Sequence, residues 1–245
     1  MPQFSPTSLH STRLVRSLAA LIDTPSHDSG HQFSRRLGTL IDLGDSVKLA
    51  NAQSGLKELV FEPGVVDPAS IRRDFLAGRA AIINAILQAC VPGETASRIR
   101  FPTVTATTLE AEATAPDAYS AFYRAQQSEI SYAVLRLHTA IRADVAGISS
   151  GLQQLAALDG ALGAAMGNHL RGYFGAVPAL LARHVVTLRS DCLEQLDGKS
   201  YQADFWLMQL GKLRADIQNL LLAEVEARLL PLQGLVEALH DGMMD

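Results

Sequence analysis

Tyr123, Gln126, Glu224 and Arg228 are the residues whose types and spacing best suit recognition chemistry. Tyr123 and Gln126 share a helical face with Tyr119, Phe122 and Ile130, which sets a polar amide in an apolar row. A buried amide without a partner costs roughly 1–3 kcal/mol, so Gln126 must be satisfied by something across that face. Glu224 and Arg228 stand at i, i+4, where opposite charges on one helix meet, beside the apolar row Leu220, Leu221 and Val225. The two segments are expected to pack together, with the Tyr123–Gln126 region open to a protein partner; the alternative is that all of these residues are internal packing.

Strings that resemble catalytic motifs fail on context. Gly147-Ile148-Ser149-Ser150-Gly151 has the form G-x-S-x-G, but a nucleophile elbow needs a strand before its serine and a long helical pattern precedes this one. It reads as a turn between helices, and Ser149→Ala is expected to be silent. Gly198-Lys199-Ser200 resembles the end of a phosphate loop, yet Leu193 stands where the first glycine belongs. His27 and His31 have ligand-like spacing but lie in a polar stretch, and no paired Glu-x-x-His motif occurs on the long helices. The expectation is a protein with no catalytic residues, no metal and no cofactor.

Arginine offers a second kind of chemistry. Arg13, Arg16, Arg35, Arg36, Arg72 and Arg73 fall in the N-terminal third and could contact phosphates, so a nucleic-acid-binding module that senses invading DNA is the alternative reading. The whole chain carries 21 basic against 25 acidic residues, a net charge of −4, which excludes a basic footprint over the entire surface but not a local patch.

The elements that must position these residues read as helix nearly throughout. Apolar spacing marks helices over about 8–22, over a segment carrying Phe33, Leu37, Leu40, Ile41 and Val47, and from Asp67-Pro68, an N-cap followed by proline at the first helical position. Tyr119 to Val145 repeats apolar residues at steps of three and four. Leu152, Leu155, Leu158, Leu162, Met166 and Leu170 continue the pattern, and a last long helix begins near Ser200. Pro178 and Pro231 should end or kink their helices. Gly160, Gly163, Gly167 and Gly172 lie in one helix; at about 1 kcal/mol each, they imply that another backbone approaches closely.

Pro92, Gly93, Pro102 and a Thr/Ala-rich run interrupt the pattern. The organisation expected is all-α: an N-terminal lobe of three helices (1–90), a linker (91–116) in which only Phe101–Thr107 is strand-like, and a C-terminal bundle of long, partly kinked helices (117–245). Arg13, Arg16 and Asp23 break any signal-peptide core at the N-terminus, and no apolar stretch reaches the roughly 18 residues of a membrane span; Asp159 interrupts the best candidate. With the 2 cysteines in apolar helical patterns, the expectation is a cytoplasmic protein without membrane insertion.

Three stretches resemble a known family: Phe33 to Asp45 (FSRRLGTLIDLGD), Tyr119 to Gln126 (YSAFYRAQ) with Glu129 and Ile130, and Leu220 to Leu239 (LLLAEVEARLLPLQGLVEAL). Together they are similar to a proteobacterial, all-helical domain of unknown function found as an accessory component of one type of Zorya anti-phage defence system. The resemblance implies a non-enzymatic accessory role beside a motor-like, ion-driven membrane complex, with other proteins of that system as partners.

Overall fold

The computed structural model describes residues 13–22, 43–91, 93, 98–102, 117–194 and 202–241. Its helices are α1 (Arg13–Ile22), α2 (Leu43–Gly55), α3 (Pro68–Ala89), α4 (Asp117–Ala146), α5 (Ser150–Gly175), α6 (Val177–Glu194) and α7 (Gln202–Asp241), with a single 3-10 turn at Leu56–Glu58. The described residues contain no strand, as the all-α reading expects. The helix carrying Phe33 to Ile41, the tract 103–116 and the histidines His27 and His31 lie outside the described residues.

Local chemistry sets several of these limits. Asp67 accepts from the Ala69 amide at 3.0 Å and Pro68 occupies the first turn of α3, so the cap reads from structure as it does from sequence. Ser149 caps α5 by accepting from the Leu152 amide at 3.2 Å. Between α5 and α6 the break falls at Ala176, and Pro178 sits in the first turn of α6, where its missing N–H has no intrahelical partner to lose. Helix α7 runs unbroken through Pro231 for 40 residues.

The long helices α4 and α7 form the centre. Tyr123, Ile141, Leu213, Ile217, Leu220, Leu221 and Leu232 are among the most completely buried side chains. Helix α3 packs on α4 and α7, α1 on α7 and α6, and α2 on α5. The N-terminal helices thus spend their apolar faces on C-terminal ones, and the core from Leu14 to Leu239 is continuous. Helices α1 and α3 of the expected N-terminal lobe share one core with those of the C-terminal bundle. Leu14 of α1 and Ile71, Phe75, Ile82 and Ile86 of α3 belong to the same buried cluster as the residues of α4 and α7.

The described part of the linker is core as well. Phe101 is buried, its ring 5.1 Å from Phe122 in an edge-on contact and 5.6 Å from Tyr119, and its amide donates to the Ala89 carbonyl at 3.2 Å. It closes the end of α3 beside Cys90, whose thiol burial pushes up to about 11. The side chain of Cys192 lies outside the described residues.

Two close approaches depend on glycine. A Cβ on Gly64 would stand 3.2 Å from the Gly147 Cα, and the Gly64 amide donates to the Gly147 carbonyl at 2.8 Å, tying the loop before α3 to the α4–α5 turn. A Cβ on Gly78 would stand 2.6 Å from Leu137 Cδ1, so any larger residue there must displace the end of the Leu137 side chain where α3 meets α4. The glycines of α5 are different: Gly163, Gly167 and Gly172 have nothing within 4 Å of a would-be Cβ, and Gly160 meets only the Arg142 side chain, at 3.8 Å. No backbone approaches them, which corrects the expectation of a packing seam.

Candidate functional site

Of the four residues expected to face a partner, the fold brings Tyr123, Glu224 and Arg228 together in the interior. Glu224 has no exposed surface. Its Oε2 accepts from the Tyr123 hydroxyl at 3.0 Å and from Gln127 Nε2 at 2.9 Å. Its Oε1 accepts from Arg228 Nε at 2.9 Å and Nη2 at 2.6 Å. Gln127 also donates to the Phe174 carbonyl at 2.9 Å, and the Arg228 guanidinium lies 4.1 Å from the centre of the Phe174 ring. Burial, reinforced by the adjacent Glu224 carboxylate, drives the Tyr123 phenol far above its usual pKa, so it remains a neutral donor.

This arrangement joins α4, α5 and α7 and consumes itself: four donors meet one carboxylate. Tyr123 and Gln126 are buried rather than open to a partner, as the internal-packing alternative has it, and the amide that reaches Glu224 is that of Gln127. The available signal was the i, i+4 relation of Tyr123 to Gln127, which puts both on the stripe that faces α7.

A second cluster links α4 to α5 across their turn. Arg142 donates to Asp159 Oδ2 from Nε at 2.9 Å and from Nη2 at 2.6 Å, and its Nη2 lies 3.3 Å from His138 Nδ1. A guanidinium has only donors, so Nδ1 must accept and the ring proton sits on Nε2, a buried atom with no hydrogen-bond partner. Burial holds the His138 pKa below its ordinary value despite the pull of Asp159. A third contact holds α2 to α5, with His169 Nε2 3.0 Å from Asp45 Oδ2. Hydrogen bonds from His169 and Lys48 lower the Asp45 pKa. Neither cluster was visible in sequence, because the partners are 17 and 124 residues apart.

Ser149, the centre of the G-x-S-x-G string, is the cap of α5. Removing its hydroxyl costs about 1 kcal/mol of helix stability, so Ser149→Ala is not silent. Among the described residues no group of three or more His, Cys, Asp or Glu side chains could hold a metal ion. No described helix is long and apolar enough to cross a membrane.

The arginines divide. Arg13 is paired at the surface with α7, 2.8 Å from Glu226 and 3.3 Å from Asn219. Arg16, Arg72 and Arg73 are exposed. Arg35 and Arg36 fall outside the described residues.

Residues 1–241 match the model of a family described as protein of unknown function (DUF3348). The chain belongs to that family. No curated protein and no solved structure matches it. The DUF3348 match covers nearly the whole chain and carries no reaction, partner or cellular system with it.

What this DUF3348 chain does present is apolar surface on α5. Leu155, Leu158, Leu162 and Tyr173 fall within a narrow angular range on the helix, with Leu170 at its edge, and all five are exposed, from 37% at Leu155 to 61% at Tyr173. The sequence pattern marked most of this row as the side α5 would bury. The helix instead packs through Leu152, Ala156, Ala165 and Phe174.

Proposed function

We propose that this protein is a non-enzymatic accessory factor that acts by binding other proteins. The observation that carries the reading is the apolar row on α5. Leucines and a tyrosine repeating at helical spacing on the outside of a folded chain are typical of surfaces that associate. The row is bordered by glycines with open space above them, which would let a second helix come close to the α5 backbone. The buried Glu224 cluster fits the same reading, since its carboxylate is engaged by Tyr123, Gln127 and Arg228 of the same chain.

The cellular setting is part of the proposal and rests on the sequence resemblance alone: an accessory component of one type of Zorya anti-phage defence system, working in the cytoplasm beside a motor-like membrane complex. The test is phage challenge of cells carrying the gene cluster, with this chain as wild type or as Leu158→Asp/Leu162→Asp. The expected result is loss of protection and of co-purifying partner proteins, with the purified variant retaining its melting temperature. Protection that survives deletion of the whole gene would overturn the defence setting. Unchanged partner recovery in the double variant would overturn the role of α5.

A further inference from the structure

A groove of about 720 Å³ runs between α3 and the C-terminal part of α7, away from the row on α5. Phe75, Leu76, Val236 and Leu239 contribute its apolar lining; Arg72 and Arg79 stand along the α3 side, and Glu237 on the α7 side. The arginines are seven residues apart, two turns of helix, so they project from one face about 10 Å apart. Phe75 and Leu76 lie between them at the third and fourth positions. Among the described residues neither guanidinium is engaged in a hydrogen bond or ion pair, whereas Glu237 accepts from Gln233 at 2.8 Å.

We propose that this groove receives an acidic amphipathic helix of a partner protein. The partner would carry carboxylates at positions i and i+7, opposite Arg72 and Arg79, and apolar side chains at i+3 and i+4 that enter the groove. The arginine spacing selects a helix. An extended segment covers the same distance in about three residues, an odd step that puts the two carboxylates on opposite faces. The lining selects a protein over a nucleic acid, because the apolar groove between the arginines gives a phosphate backbone nothing to bind. A single-chain amphiphile fits less well, since one headgroup uses only one of two arginines held apart on the same wall.

The full-length protein is titrated by fluorescence anisotropy into labelled Ala/Leu helical peptides of roughly 20 residues, long enough to populate helix unaided. One peptide carries Glu at i and i+7 with Leu at i+3 and i+4; a second has the same composition with the Glu residues moved to other faces. The first should bind and weaken with added salt, and the permuted peptide should bind about tenfold or more weakly. Arg72→Glu/Arg79→Glu should abolish binding of the Glu peptide and gain binding of a Lys counterpart, which a merely misfolded variant cannot do. Equal binding of the two Glu peptides, or no effect of the Arg substitutions, overturns the proposal, as does a duplex DNA oligonucleotide that binds more tightly at the same arginines. Leu158→Asp/Leu162→Asp should bind the Glu peptide normally, which separates failure here from failure of the α5 reading.

Discussion

Glu224 shows how a buried charge can be tolerated. Removed from water, a carboxylate needs its lone pairs filled, and here an arginine one turn away, a phenol and an amide fill them. Such an arrangement is fragile to partial removal and robust to complete replacement. Arg228→Met should therefore cost roughly 3–5 kcal/mol by leaving the carboxylate short of donors, while Glu224→Leu/Arg228→Met should cost less than that single change. Urea denaturation of the two variants measures the difference, and a double variant no more stable than Arg228→Met would count against this account. His138 adds a pH dependence. Its folded pKa lies below the unfolded value of about 6.5, so the unfolded chain binds the proton first as pH falls. The contribution is complete above that value and is lost as pH drops from it through the folded pKa. Melting temperatures between pH 7.5 and 5 should decline in the native protein, and the slope should flatten in His138→Phe.

Helix lengths followed from periodicity and capping because both are local: Asp67-Pro68 starts α3 and Ser149 starts α5 through contacts within a turn. Which face each helix buries was less legible. On α5, leucines and small residues occur on both sides, and the side that packs is chosen by what α2 and α4 present to it. Clusters between distant elements, such as Arg142 with Asp159 or His169 with Asp45, leave no mark in a single sequence; Asp159 was readable only as an interruption in an apolar run. Glycine needs the same distinction. Gly163→Ala places a methyl in open space and relieves the chain of a poor helix former, so it should stabilise by up to about 1 kcal/mol. Gly78→Ala makes the same propensity gain but must displace Leu137, and should be neutral or destabilising. Thermal melts of the two variants should move apart, and equal shifts would mean that the α3–α4 approach is looser than described.

At the scale of the molecule, a boundary drawn where the helical pattern lapses does not separate two cores. Gly93 and Pro102 interrupt helix without interrupting packing, and Phe101 between them lies against Tyr119 and Phe122. A core continuous from Leu14 to Leu239 should unfold as one unit. Near-ultraviolet dichroism of the buried Phe101, Tyr119, Phe122 and Tyr123 reports on the core, while far-ultraviolet dichroism reports on all helices. Their denaturation curves should coincide, and two separated transitions would restore independent lobes. Fragments 1–102 and 103–245 should each lack a cooperative transition alone and recover one when mixed.

The position of Cys90 turns the end of α3 into a clock. A buried thiol pushed up to about 11 carries almost no nucleophilic thiolate at neutral pH, so alkylation must wait for the end of α3 to open. In a Cys192→Ser background the rate of modification by excess iodoacetamide would count those openings, and its dependence on denaturant would tell a local excursion from global unfolding.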